Sequence, residues 1–279
     1  MSDVVIDTPA TATAVEAELN YLEFTGEKPV SYQYEPPPGV PKRSGVYRPH
    51  RVKISNARVA PPPGRLSLDR NGFELHRHAS ALSDFSHPAQ IEAVYYPEAE
   101  ALLKQATGAK RVVVFDHTLR DGKPERGEGV REPVKYIHND QTFVSGPRRV
   151  RDHLPAGEAE RLLQGRVAIV NLWRPIGETV QSSPLALCDS RSIALNDLVA
   201  SDLVYPDKVG ETYALVFNPR HHWYYFPHMT PDEFLLLKIY DSAGDPIARM
   251  TAHSAFDDPT SAPDAPARRS IELRSLLFF

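Results

Sequence analysis

Cysteine is nearly absent: Cys188 stands alone among 279 residues, which excludes an internal disulfide framework. Its surroundings, PLALCDS, are apolar and then acidic, and both raise a thiol's pKa, so the reading is a packed core cysteine and not a nucleophile. No apolar run approaches the roughly 20 residues that a spanning helix needs. The first residues, MSDVVIDTPATATAVEAEL, have neither the basic start nor the apolar centre of a secretory signal. These absences predict a cytoplasmic protein with no membrane partner. Blocks of like charge are missing too: 32 Lys and Arg are interspersed with 36 Asp and Glu, a formal net charge of −4. That pattern speaks against nucleic acid and anionic membrane surfaces and predicts a small-molecule partner. No internal repeat is visible.

What the chain does have is proline, 26 in all, concentrated early in YEPPPGVPKRSG (34–45) and APPPGRL (60–66). Proline at this density removes backbone donors and favours extended segments. Residues 1–65 read as a proline-rich arm that wraps the domain, with about the first 15 residues loosely held, and the arm is a hint of homodimer contacts. Residues 66–279 read as one domain. In YPEAEALLKQATGAK, proline near the start, one face made by Leu102, Leu103 and Ala106, and Gly108 as a stop predict a helix. PAGEAERLLQGR (155–166) repeats that logic, with Pro155 opening and Gly165 closing.

Strand-like runs follow one another after residue 166: 166–176, 184–193, 211–219, 221–227, 234–242, 246–256 and 269–279. With the segment that ends in His138 they number eight. RVVVFDH (111–117) is a further β-branched run. Eight short strands with turn-rich connections argue against βαβ units. The expected fold is mainly β with flanking helices, its core a double-stranded β-helix of the jelly-roll or cupin-like kind.

IHND (137–140) places His138 and Asp140 two positions apart. With 11 histidines in the chain, about one His-x-Asp triplet arises by chance, so the motif draws its meaning from its setting. On a strand the two side chains project from one face and can reach one ion. Two imidazoles and one carboxylate on one side of an octahedron are the ligand set of non-haem Fe(II) oxygenases, with three positions left open. The third ligand must come from another strand, and His253 and the aromatic-flanked His221, His222 and His228 are all available. Tyr224 or Tyr225 could donate to a carboxylate, because a buried tyrosine hydroxyl needs a partner. Arg174 shares a strand phase with Val170 and Leu172 and could point toward substrate or cosubstrate. Lys238 interrupts an apolar run and, if inward, needs an anion such as Asp241, Glu233 or a ligand.

Several separated blocks, YYPEAEALLKQATGAKRVVVFDHTLR, VKYIHNDQT, NLWRPI, HHWYYFPHMTPDEFLLLKIYDS and HSAFDDP…ARRSIELR, occur in the order seen in a known family. Over roughly residues 70–279 the chain resembles the 2-oxoglutarate/Fe(II)-dependent oxygenases, and within them the hydroxylase/desaturase group that includes gibberellin desaturase-like and cephalosporin 7-methoxylation protein-like members. The resemblance implies that His138, Asp140 and His253 bind Fe(II), with His222 as the alternative third ligand. It also implies that Arg268 and Ser270, matching an Arg-x-Ser pattern on the last strand, bind the C5 carboxylate of 2-oxoglutarate. Arg268 lies 15 residues after His253, farther than is usual, and the extra stretch DDPTSAPDAPA is loop-like. An arginine meets a carboxylate through two parallel charge-assisted hydrogen bonds, and a serine two residues on adds a third from the same face. Arg274, in the same phase, is a second candidate; Tyr225 and Arg174 are further cosubstrate contacts. The implied reaction consumes O2 and 2-oxoglutarate, releases succinate and CO2, and hydroxylates, desaturates or otherwise oxidises a small secondary-metabolite-like substrate. Two rivals use the same residues. A cupin-like metal enzyme would employ His138 with the 221–228 histidines and have no use for Arg268; a non-catalytic binder would use Trp173, Trp223 and the tyrosines as a stacking surface.

Overall fold

Alternating side chains dominate the chain, and in the computed structural model they form strands of two sheets; residues 12–60, 66–122 and 130–279 are described. The first half contains β1 (Ala14–Glu23), β2 (Val30–Tyr32), β3 (Val46–Asn56), α1 (Leu68–Asn71), β4 (Phe73–Arg77), α2 (Pro88–Gln90), a π turn (Ile91–Tyr95), α3 (Tyr96–Thr107), β5 (Arg111–Asp121), β6 (Val130–Arg131) and β7 (His138–Asn139). The second contains α4 (Ser145–His153), α5 (Ala156–Leu162), β8 (Val167–Pro175), β9 (Leu185–Cys188), β10 (Leu198–Val204), β11 (Val209–Leu215), β12 (Trp223–Tyr225), β13 (Glu233–Asp241), β14 (His253–Ala255) and β15 (Arg269–Phe278). Each of the eight expected strands has a counterpart, though 246–256 is a strand only at its end. The two expected helices are α3, stopped by Gly108 at φ 74°, and α5, preceded by Pro155.

The larger sheet runs β1-β3-β12-β9-β14-β7-β11-β10-β2 and the smaller β4-β13-β8-β15-β5-β6. Between them lies an apolar layer in which Ile169, Trp173, Leu237 and Ile239 of the smaller sheet meet Leu185, Leu187 and Tyr224 of the larger. The other face of the smaller sheet presents Val170, Leu172, Ile271 and Leu273 to Ile91, Tyr95 and Leu103 of the helical segment. A strand covered on both faces has no polar side to show. β8 is accordingly buried throughout, as VAIVNLWRP suggests.

The segment read as a proline-rich arm enters the larger sheet. β1 pairs along its whole length with β3, β3 pairs with β12, and bridges join Asn20 to Tyr136 and Leu22 to Val216. This lays Leu19 and Tyr21 over Ala186, Cys188, Trp223 and Tyr225 as a third apolar cluster. Tyr21 Oη accepts the Trp223 indole N–H at 2.7 Å and lies 3.1 Å from His221 Nδ1, so β1 is tied down by a buried polar link as well as by area. Residues 1–11 and 61–65 lie outside the described residues, as does the loose start expected there. Among the described residues no helix is long and apolar enough to cross a membrane.

Lys238 finds its anions within the protein: Nζ lies 2.7 Å from Asp241 and 2.5 Å from Asp69. Arg166 joins the same pair of carboxylates. At the head of the adjoining strand Gly72 adopts φ +85°, and its carbonyl accepts the Lys238 N–H at 2.7 Å. A Cβ there would sit 2.9 Å from Thr251 Cβ and 3.1 Å from the Met250 oxygen. Gly72→Ala is therefore expected to cost about 2 kcal/mol, from left-handed backbone strain plus overpacking, read as a lower denaturation midpoint.

Candidate metal centre

β7 is only two residues long, and its position is set by neighbours more than by propensity. His138 faces Ala214 of β11 on one side and His253 of β14 on the other. The Asn139 amide donates to the Ile239 carbonyl at 2.9 Å, holding β7 to the bulge in β13. The chain then turns Asp140 inward beside His138, with His138 Nε2 3.5 Å from Asp140 Oδ1. The His138 and His253 ring centroids are 4.5 Å apart, and one ligand atom from each of the three residues lies within 4.8 Å of the others.

The chemistry of these donors fits a divalent cation. Burial, with the neighbouring His253 second, pushes His138 down to about 4, and burial also lowers His253, so both imidazoles are neutral at neutral pH. His138 Nδ1 lies 2.8 Å from the Tyr136 carbonyl; a carbonyl only accepts, so the ring proton sits there and Nε2 keeps its lone pair toward Asp140. Burial by itself would raise Asp140, but the Arg274 guanidinium, with the Asn171 hydrogen bond, outweighs it and holds the carboxyl well below the usual range. Two neutral nitrogens and one ionised oxygen are the borderline-hard set that suits Fe(II). Neighbouring ligands of an octahedral ion with bonds of ~2.1 Å stand about 3 Å apart, shorter than the 3.5 Å between His138 Nε2 and Asp140 Oδ1, so these donors would draw together on an ion. His253 Nδ1 is buried without a hydrogen-bond partner among the described residues.

Asp140 Oδ2 accepts from Asn171 Nδ2 at 2.8 Å, from β8, and from Arg274 Nε at 3.2 Å, from β15. Arg274 also donates to Asp116 at 3.0 Å, Thr118 at 3.0 Å and Glu272 at 2.7 Å, so one guanidinium binds three carboxylates. Arg268, just ahead of β15, and Ser270, on it, are 3% and 1% exposed. Arg268 Nη1 donates to the Ser183 carbonyl at 2.6 Å and its guanidinium stands 5.3 Å over the Trp173 ring, while its Nε and the Ser270 Oγ have no hydrogen-bond partner among the described residues. Burial, with the field of Arg120 second, pushes Arg268 down to about 9, as expected of a cation short of an anion. A cavity of about 370 Å³ opens beside Arg268, between Glu178, Thr179 and Ala267.

Other sequence candidates fall elsewhere. Tyr225 packs on Phe256 in the cluster beneath β1, on the face of the larger sheet turned away from the triad. The strand alternation that brings Tyr224 into the layer between the sheets sends Tyr225 the other way. Arg174 also faces away: its phase with Val170 and Leu172 is real, but that face meets the helical segment, where Arg174 lies over Tyr95 and 3.8 Å from Glu98. His222 is exposed, its backbone bonded to Asp189 and Ser192, and His228 is exposed too. His221 is bound to Asp197 at 3.1 Å. None of the three approaches His138. Cys188 is buried, and burial pushes its thiol up, away from nucleophilic use. Sequence reading missed Asp116, Thr118, Arg120 and Glu272, although polar residues at every second position of FDHTLR and RSIELR carry a period-two signal on two strands.

Two outcomes follow from this geometry. In the metal-free protein the unfolded chain takes up a proton near pH 6.5, whereas folded His138 resists it until about pH 4, so stability falls as pH drops through that window. The loss from His138 is about 2 kcal/mol between pH 7 and pH 4.5, measured by urea unfolding of chelator-treated protein at those two values; a flat profile contradicts it. Arg274→Met leaves Asp140 and Glu272 buried without their cation and is expected to destabilise by about 3 kcal/mol, checked by chemical denaturation at pH 7.

Comparison with known proteins gives the family. A family model described as Oxidoreductase/YMDC permease-like domain matches residues 19–278. The chain is 34% identical over 276 residues to the Fe(II)/2-oxoglutarate-dependent dioxygenase nvfI of Aspergillus novofumigatus, covering 95% of this chain and 97% of that one. It is 35% identical over 243 residues to the hydroxylase/desaturase efuI of Hormonema carpetanum, covering 77% and 80%. A solved structure of a variant of the iron and alpha-ketoglutarate-dependent endoperoxidase NvfI superposes with a TM-score of 0.87 at 31% identity, over 96% of this chain and 98% of that one. With the fold, the clustered His-Asp-His and these relatives in agreement, the chain belongs to the Fe(II)/2-oxoglutarate-dependent oxygenases, in company with fungal hydroxylase/desaturases and an endoperoxidase.

Proposed function

We propose that His138, Asp140 and His253 hold the Fe(II) and that Arg268 and Ser270 bind the C5 carboxylate of 2-oxoglutarate. The observation that carries this is the convergence, inside one barrel, of two neutral imidazoles and an ionised carboxylate with a buried arginine and serine whose donors are unspent. When bound, iron and 2-oxoglutarate supply the oxidising power drawn from O2, with release of succinate and CO2.

The chain's own residues bind, orient and exclude water. Asn171 and Arg274 fix the Asp140 carboxylate so that its other oxygen is presented to the ion, and the Tyr136 carbonyl fixes the His138 ring. Arg268, over Trp173 and braced on the Ser183 carbonyl, offers its remaining donors as a fork, and Ser270 adds a hydroxyl from the same face. Burial makes each of these contacts stronger than it would be in water. The substrate in this reading is a small secondary metabolite, by analogy with the oxidations named for the relatives. Cys188, buried and without a disulfide partner, fits action in the cytoplasm.

Anaerobic addition of Fe(II) and then 2-oxoglutarate to the metal-free protein tests the assignment, followed by the visible charge-transfer band of the chelated keto acid. His138→Ala and Asp140→Ala are expected to lose iron retention and the band. Arg268→Ala should keep iron but bind 2-oxoglutarate at least tenfold more weakly. A variant His253→Ala that retained iron, beside His222→Ala that lost it, would reassign the third ligand.

A further inference from the structure

We propose that Arg120 is a second cosubstrate-binding residue, closing with Arg268 a two-guanidinium clamp for the dianion of 2-oxoglutarate; this rests on the reading of the previous subsection. β5 and β15 are antiparallel, with Arg120 directly opposite Ser270, Thr118 opposite Glu272 and Asp116 opposite Arg274. Side chains directly opposite each other share a sheet face. Arg274 reaches Asp140 from that face, so Arg120 projects into the same interior as the triad, Ser270 and Arg268. The intervening residues turn the other way, as His117 does toward Tyr96 of α3.

Charge pairing in this interior is uneven. Asp116, Asp140 and Glu272 are all bonded to Arg274. Arg120 donates from Nη1 to the Glu132 carbonyl at 2.9 Å, and Arg268 donates to the Ser183 carbonyl. Among the described residues neither has a carboxylate within ion-pair distance. Two guanidiniums, each braced by one main-chain oxygen and left without an anion, are the complement of a ligand with two negative charges. Along β15 the order Ser270, Glu272, Arg274 runs from the position opposite Arg120 to the residue that reaches Asp140, so Arg120 stands at the Ser270 end of this span. Burial depresses Arg120, and Glu272 offsets this only in part. A dianion bound across this span relieves both cations at once.

The test is the affinity of Fe(II)-loaded protein for 2-oxoglutarate, measured anaerobically by calorimetry and by the visible band, with iron content and melting temperature as controls. Arg120→Gln is expected to weaken 2-oxoglutarate at least tenfold while keeping iron and thermal stability, and Arg120→Lys, which keeps the charge, should recover part of the loss. A role confined to bracing the Glu132 carbonyl would lower the melting temperature and leave affinity untouched. If Arg120→Gln does not fold, Arg120→Lys decides: affinity equal to wild type overturns the proposal, and a several-fold loss sustains it. Unchanged affinity in Arg120→Gln also overturns it, and a raised KM for substrate alongside would give the guanidinium to an anionic substrate group instead. Wild-type protein that takes up iron but no 2-oxoglutarate overturns the preceding reading together with this one. Wild-type binding with an indifferent Arg120→Gln overturns this one alone.

Discussion

The Arg274 guanidinium holds the site together. It links the metal-side carboxylate Asp140, on the short strand segment after β7, to Glu272 on its own strand and to Asp116 and Thr118 on β5. Three carboxylates drawn to one place repel one another, and the cation among them offsets that repulsion. An ionised Asp140 is the condition for holding a divalent ion at all. The same contact orients it, because Asn171 and Arg274 both take Oδ2 and leave Oδ1 toward His138.

Around that lattice the space between the sheets divides into two halves. One is apolar, where Ile169, Leu187 and Leu237 meet, and supplies the cohesion of the roll. The other is lined by charged and polar groups from every second position of β5 and β15. Trp173 belongs to both, packed in the apolar layer with one face under Arg268. Strand alternation makes this division cheap to build: Leu119, Ile271 and Leu273 face the helical layer while Arg120, Ser270 and Glu272 face the interior. Functional groups thus sit on the most regular elements of the fold, where rotamers and positions are best defined.

Much of this was legible in the chain. His138 and Asp140 stood out by spacing, the strand-like runs of β8, β13 and β15 were plain, and α3 was bounded by Pro97 and Gly108. Local pattern was weakest where two faces are both apolar. Tyr224 and Tyr225 look alike in sequence, and so do the two faces of β8; which one meets the site depends on which layer lies on each side. Arg174 shows the cost of that ambiguity, since its phase was correct and its destination was the helical layer. The proline-rich early segment hid two long strands, because β1 and β3 gain their pairing from each other and from β12, far along the chain.

Composition and order of residues settled the class of fold, the lack of disulfides and the His-x-Asp pair, because each rests on residue type and short-range spacing; the reaction family came from the resemblance of several separated blocks. The convergence of His253 with His138, the pairing of Asp140 with Arg274, and the placing of Arg120 opposite Ser270 came from folding alone. Each of these joins residues more than 110 positions apart, through strand register and through the side of a sheet on which the other layer packs. No periodicity along a single strand contains that information.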